Sequence, residues 1–190
     1  MKPNKPHNTI IMKTISQETT ATATICIILL TAVLVSCHKD KAQPSTRSVY
    51  YWSTTLDMDS TKTAFIKKYM ISRMYLRYFD VVNDEGGRAV PNATLRFATG
   101  VPRGIEIVPT VFIMPECLRQ DREKLAEQIV RRVVQINETN DVLNVKEIQI
   151  DCDWTQSTRR LYDEFMRAML RECHNRNMQL SSTIRLHQLA

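Results

Sequence analysis

From residue 48 onward, two kinds of apolar pattern alternate along the chain. "SVYYWSTTL" (48–56), "ISRMYLRYFDVV" (71–82), "IEIVPTVFIM" (105–114), "VKEIQIDCDW" (145–154) and "MQLSSTIRLHQL" (178–189) are short runs rich in aliphatic, aromatic and β-branched residues. Runs of this kind predict five main β-strands. Pro109 lies inside the third and removes a ladder donor, so a bulge is an alternative there. Between the runs the period changes. "DSTKTAFIKKYM" (59–70) predicts a short helix with an Asp or Ser cap. "DREKLAEQIVRRVVQINE" (121–138) opens on a cap-competent Asp121 and lines up Leu125, Ile129, Val130, Val133 and Val134 in one stripe. "STRRLYDEFMRAMLRECHNR" (157–176) does the same with Leu161, Phe165, Ala168, Met169 and Cys173. "NDEGGRAVPN" (83–92) is dense in turn residues, and "TLRFA" (94–98) predicts a short extra strand.

Strands alternating with helices predict an α/β fold of parallel βα units joined by right-handed crossovers. Strands apolar on both faces imply covering helices or a barrel interior. No G-x-G-x-x-G follows any strand, which weighs against a dinucleotide-binding sheet. A closed (β/α)8 barrel has eight strands and typically ~250 residues. Five strands therefore form either an open sheet or a truncated (β/α)8 (TIM-type) barrel, and the second is the expectation.

The first part of the chain reads differently. Lys2, Lys5 and Lys13 precede an uncharged apolar stretch that runs from Glu18 to Cys37. A basic start, an apolar centre and small residues before a cut make a secretory signal. "LVSC" (34–37) resembles the bacterial lipobox, which implies lipidation of Cys37. An uncleaved anchor helix is the alternative. The expected organisation is a lipoprotein signal peptide at 1–36, a lipidated Cys37 with a polar tether at 37–48, and a partial barrel domain at 49–190. That places the protein in the cell envelope, exported and lipid-anchored to a membrane, the outer membrane first.

Charge and cysteines add little. The net charge is +6, and residues 1–36 hold three Lys and one Glu, which leaves +4 after cleavage. No Lys/Arg block with interleaved aromatics appears, so nucleic acid is not an expected partner. Cys117, Cys152 and Cys173 have no metal-ligand spacing and read as small core residues, so no cofactor and no metal are expected.

In a parallel α/β architecture the C-terminal ends of the strands make the site. The polar and aromatic residues there are Trp52, Arg77, Asp80, Asp151, Asp153, Trp154, Arg185 and His187, with Ser53 and Glu116 beside them. Alternation puts Asp151 and Asp153 on one face, with Cys152 and Trp154 on the other, and likewise pairs Arg185 with His187. Two carboxylates suit glycoside chemistry, in which one donates a proton and one faces the positive charge developing on the sugar ring. Flat aromatics such as Tyr51, Trp52 and Trp154 suit sugar stacking. Asp151 and Asp153 also read as helix caps or as ion partners of Arg77 and Arg185. A metal site with His187 is a weaker reading.

"IQIDCDWT" (148–155) resembles the fourth-strand motif D-x-x-D-x-D-x-E of chitinase-type glycoside hydrolases. Asp151 and Asp153 match its last two aspartates. Thr155 stands where its proton-donating Glu falls, and Ile148 where its first Asp falls. A hydroxyl does not replace a carboxylic acid as general acid. The wider run 145–170, with "LSSTIRLHQL", "LRYFDV" and "VPTVFI", resembles uncharacterised Bacteroidetes-type lipoproteins with a glycosidase-like barrel. The resemblance implies a carbohydrate ligand, with Asp151 and Asp153 as candidate catalytic groups. Trp52, Arg77, Asp80, Trp154, Arg185 and His187 are then the candidate substrate-binding groups. It implies either a non-catalytic glycan-binding protein or a hydrolase that acts in a full-length form.

Overall fold

The computed structural model describes residues 46–188, except the side chain of His187. The expected signal peptide, Cys37 and nearly all of the tether lie outside the described residues. Strands β1 (Ser48–Tyr51), β3 (Arg73–Asn83), β6 (Glu106–Ile113), β7 (Glu147–Cys152) and β8 (Gln179–Ser182) form one sheet in that order, and all neighbours are parallel. β2 (Thr55–Leu56) and β5 (Arg96–Phe97) make a separate two-stranded sheet. β4 (Ala89–Asn92) returns antiparallel along β3. Helices α1 (Ser60–Lys68), α2 (Arg122–Thr139) and α3 (Arg159–His174) supply the other layer. Among the described residues no helix is long and apolar enough to cross a membrane.

The helix starts follow from capping. The Asp59 side chain accepts from the Lys62 amide, and Asp121 accepts from Glu123 and Lys124. The buried stripes then fix which way each helix faces. Ile66 of α1, Leu125, Ile129 and Val133 of α2, and Phe165, Met169 and Cys173 of α3 join one core with Met74, Leu76, Phe79, Ile107, Val111, Ile148 and Ile150. These strand residues all belong to one face of the sheet. Strands laid down in sequence order by right-handed crossovers place every crossover on the same side.

The other sheet face carries Tyr50, Arg73, Tyr75, Arg77, Glu106, Thr110, Glu147, Gln149 and Asp151, and among the described residues no helix packs on it. The Tyr50 hydroxyl of β1 donates to the Gln149 side chain of β7 at 2.9 Å. Three strand spacings of ~4.8 Å, about 14 Å in all, separate those strands on a flat sheet. Side chains standing upright at that distance do not meet, so this face is concave. The expectation of strands apolar on both faces is thereby corrected: Glu147, Gln149 and Asp151 alternate with Ile148, Ile150 and Cys152.

Several element boundaries differ from expectation. The run 48–56 is broken at Trp52–Thr54, and only 48–51 joins the main sheet. Residues 83–92 are a hairpin and not only a turn: Gly87, at φ 74, supplies the left-handed step, and Ala89–Asn92 pairs back on β3. The last strand stops at Ser182, and Leu186–Gln188 is a 3-10 turn, because the Gln188 amide group ties that segment to the carbonyls of Cys152 and Trp154. Pro109 does sit in the central β6, one residue before its pairing with β7 begins at Thr110, where no ladder yet exists on that side.

Cys117, Cys152 and Cys173 are unpaired and fully enclosed in the core. Burial pushes the Cys152 thiol up to about 12 and those of Cys117 and Cys173 to about 11. Thiolate is the reactive form, so all three are expected to resist iodoacetamide at about pH 8 and to label fully in urea. Mass spectrometry of the two samples checks this, and native labelling of Cys152 would contradict the packing described.

Candidate functional site

The C-terminal ends of β1, β3, β6 and β7 bring two charged clusters to the rim of the concave face. The first depends on an irregularity in β3. Arg77 pairs with Thr110 and Phe79 with Val111, so Tyr78 is an extra, bulged residue. In a regular strand, residues three apart face opposite sides. The bulge shifts the phase, and Arg77 and Asp80 meet on the concave side. Both oxygens of Asp80 accept from the Arg77 guanidinium, the Nε contact at 2.8 Å. The same guanidinium lies 5.5 Å over the ring of Trp52, which is 47% exposed. Tyr78 itself turns to the helix side, and its hydroxyl donates to the Asn137 side chain at 2.7 Å.

The second cluster is a ladder of side-chain pairs between β7 and β8. The Gln149 amide donates to Ser181 at 3.5 Å, the Thr183 hydroxyl donates to Asp151, and Arg185 meets Asp153 as an ion pair. The two-residue step carries on past the ends of both strands. Asp151 and Asp153 therefore share the concave side. Arg185 reaches Asp153 from the segment after β8, and not from a strand.

Phe112 of β6 lies between the clusters. Asp80 is in register with Phe112, and Phe112 with Asp151. Asp80 and Asp151 are thus two strand spacings apart, about 10 Å between backbones, and closer at their tips on a concave surface. Each is 8% exposed. Lower on the same face, Tyr50 stacks on Tyr75 at 4.6 Å, and burial raises the Tyr50 hydroxyl above its ordinary value.

Three expectations for site residues are corrected. Trp154 points to the helix side, where its ring stacks on Tyr162 at 5.5 Å with Arg159 across it at 5.8 Å. It is not a free stacking platform, because an odd step from Asp151 takes it through the sheet. Arg77 does not partner Asp151 or Asp153, since the bulge delivers it to Asp80. His187 lies in the terminal 3-10 turn and so shares no strand face with Arg185; its side chain lies outside the described residues.

Thr155 bonds to Ser157 at 2.9 Å in the turn ahead of α3. Sequence reasoning missed Phe112, Thr183 and Gln188. Among the described residues no three His, Cys, Asp or Glu side chains converge as a metal site. Comparison with family models, with curated proteins and with solved structures gives no match.

Proposed function

We propose that the rim of the concave face binds carbohydrate, and that the protein is an exported envelope lipoprotein whose sheet is a five-strand sector of a glycosidase-like (β/α)8 barrel. Strand order, the described helices all lying on one face and a concave polar face support the barrel reading. The observation that carries the binding reading is Trp52. It is a half-exposed ring beside a fixed Arg77–Asp80 pair, and it offers a sugar both an apolar face and directed polar groups. The site's acids are each engaged: Asp80 by Arg77, Asp151 by Thr183 and Asp153 by Arg185. With Thr155 in place of the acid, binding is favoured over proton donation.

Glycan-array screening, followed by calorimetry on a hit, tests the reading. Trp52→Ala is expected to weaken binding about tenfold, equivalent to ~1.4 kcal/mol. No glycan bound by the wild type, or equal affinity of Trp52→Ala, would remove it. Lipidation is tested separately. A fatty-acid analogue is expected to label the wild type and not Cys37→Ala, and equal label in both would remove the anchor.

A second reading rests on the Asp80–Phe112–Asp151 row. Inverting glycosidases hold two carboxyl groups about 6.5–9.5 Å apart, across the bond they cleave. The two-strand separation of Asp80 and Asp151 suits that geometry better than Asp151 and Asp153, which stand on one strand.

A further inference from the structure

Every segment that leads into a strand of the main sheet carries a basic side chain. Arg47 precedes β1, Lys67 and Lys68 close α1 ahead of β3, Arg103 precedes β6, Lys146 precedes β7, and Arg176 precedes β8. All six residues are exposed, and the same segments, each taken from the last two residues of the helix before it where there is one (46–47, 67–72, 98–105, 138–146 and 173–178), hold two acids, Glu138 and Asp141. Glu172, at the end of α3, engages Arg176, and no ion pair within the described residues engages the others. Because the strands are parallel, these segments gather at one end of the sheet, opposite the rim that holds Asp80 and Asp151.

Apolar side chains stand out of the same end. Leu143 is 76% exposed and Met70 is 66% exposed. Phe65 and Tyr69, both about half-exposed, pack with tilted rings at 4.6 Å, and Lys68 lies 5.5 Å over the Tyr69 ring. Arg47 donates to the Tyr69 carbonyl at 3.1 Å, so the chain enters the domain beside this cluster. Met70 adopts φ 51, the left-handed conformation that glycine usually supplies at a helix end. Neither backbone preference nor burial accounts for a methionine there.

We propose that this end of the domain is a docking face for an anionic lipid surface. Basic side chains around exposed aromatic and aliphatic residues form the pattern that seats a protein in the headgroup region. A polyanion such as nucleic acid engages the charges alone and leaves Met70 and Leu143 without a role. Lipid engages both. The face is independent of the carbohydrate reading, and it turns the rim with Trp52 away from the membrane.

The test uses the full 190-residue chain. Flotation compares vesicles of phosphatidylcholine with vesicles that also contain phosphatidylglycerol. Residues 1–45 are common to all variants, so differences between variants report this face. Lys67→Glu with Lys68→Glu, and Met70→Ser with Leu143→Ser, are each expected to reduce partitioning onto anionic vesicles about tenfold. Leu170→Ser, which removes an exposed apolar side chain from the flank of α3, is expected to change nothing. Amide exchange on the vesicle-bound wild type is expected to show protection over residues 67–72 and 140–146, a readout that does not depend on any variant folding. Equal partitioning of wild type and both double variants overturns the proposal, as does protection confined to other segments. Retention on duplex DNA as strong as on anionic vesicles, lost with the lysine variant alone, also overturns it.

Discussion

Replacing Arg73 with Met is expected to destabilise the domain by about 3 kcal/mol, at the low end of the cost of breaking a buried ion pair. Arg73 holds two carboxylates on the concave face. It donates to Glu106 at 3.1 Å and 3.0 Å, and to Glu147 at 3.3 Å. Glu147 is 6% exposed, so its charge has little water to fall back on. The Arg73 guanidinium, like any arginine's, stays charged throughout the working range. Without it, two carboxylates on neighbouring strands face each other uncompensated. Arg73 is itself 27% exposed along its side chain, which is why the low end of the range applies. Urea midpoints measure the effect. Adding Glu106→Gln and Glu147→Gln to the Arg73→Met variant is expected to recover most of the loss, because no orphan charge then remains. A single variant within ~0.5 kcal/mol of wild type, the range of ordinary surface changes, would show that the cluster is solvated and unimportant.

The helical layer was legible because its signals are local. Asp121 caps α2, and the stripe from Leu125 to Val133 fixes its buried face. The five main strands and their parallel order followed from the same alternation of patterns. The concave face was less legible, although "EIQID" states it plainly. Val108 and Phe112 lie on that face too, so β6 reads as apolar on both sides. The β3 bulge was not legible at all. "YFDV" contains no glycine and no break, and only the register against Thr110 and Val111 shows that the phase changes at Tyr78.

That single residue decides the partner of Arg77, and with it half of the candidate site. The Asp153–Arg185 pair shows the opposite case. The alternation from Asp151 to Asp153, and an arginine partner for these aspartates, were both readable in the chain, although Arg185 was expected on the fifth strand and stands after it. Gln188, which bonds the Cys152 and Trp154 carbonyls, was hidden, since nothing local marks a glutamine as the tie between a turn and a distant strand end.

Asp80→Asn and Asp151→Asn are expected to be the two substitutions most damaging to carbohydrate recognition, and they separate the two functional readings. In the binding reading each removes a charged acceptor, a loss of ~1.5–3 kcal/mol where the bond to a sugar hydroxyl is buried, or roughly ten- to a hundredfold in affinity. In the hydrolytic reading affinity changes little, and turnover falls by about a hundred- to ten-thousandfold, the usual contribution of a positioned acid or base. Asp153→Asn is the control. Its pair with Arg185 is part-exposed, at 37% and 53%, so it is expected to cost less than ~1 kcal/mol in stability and little in binding. Melting temperatures recorded beside the binding curves distinguish lost recognition from lost folding, since Asp80→Asn also frees Arg77. Were Asp153→Asn the most damaging of the three, the row through Phe112 would not be the site, and recognition would belong to the segment after β8.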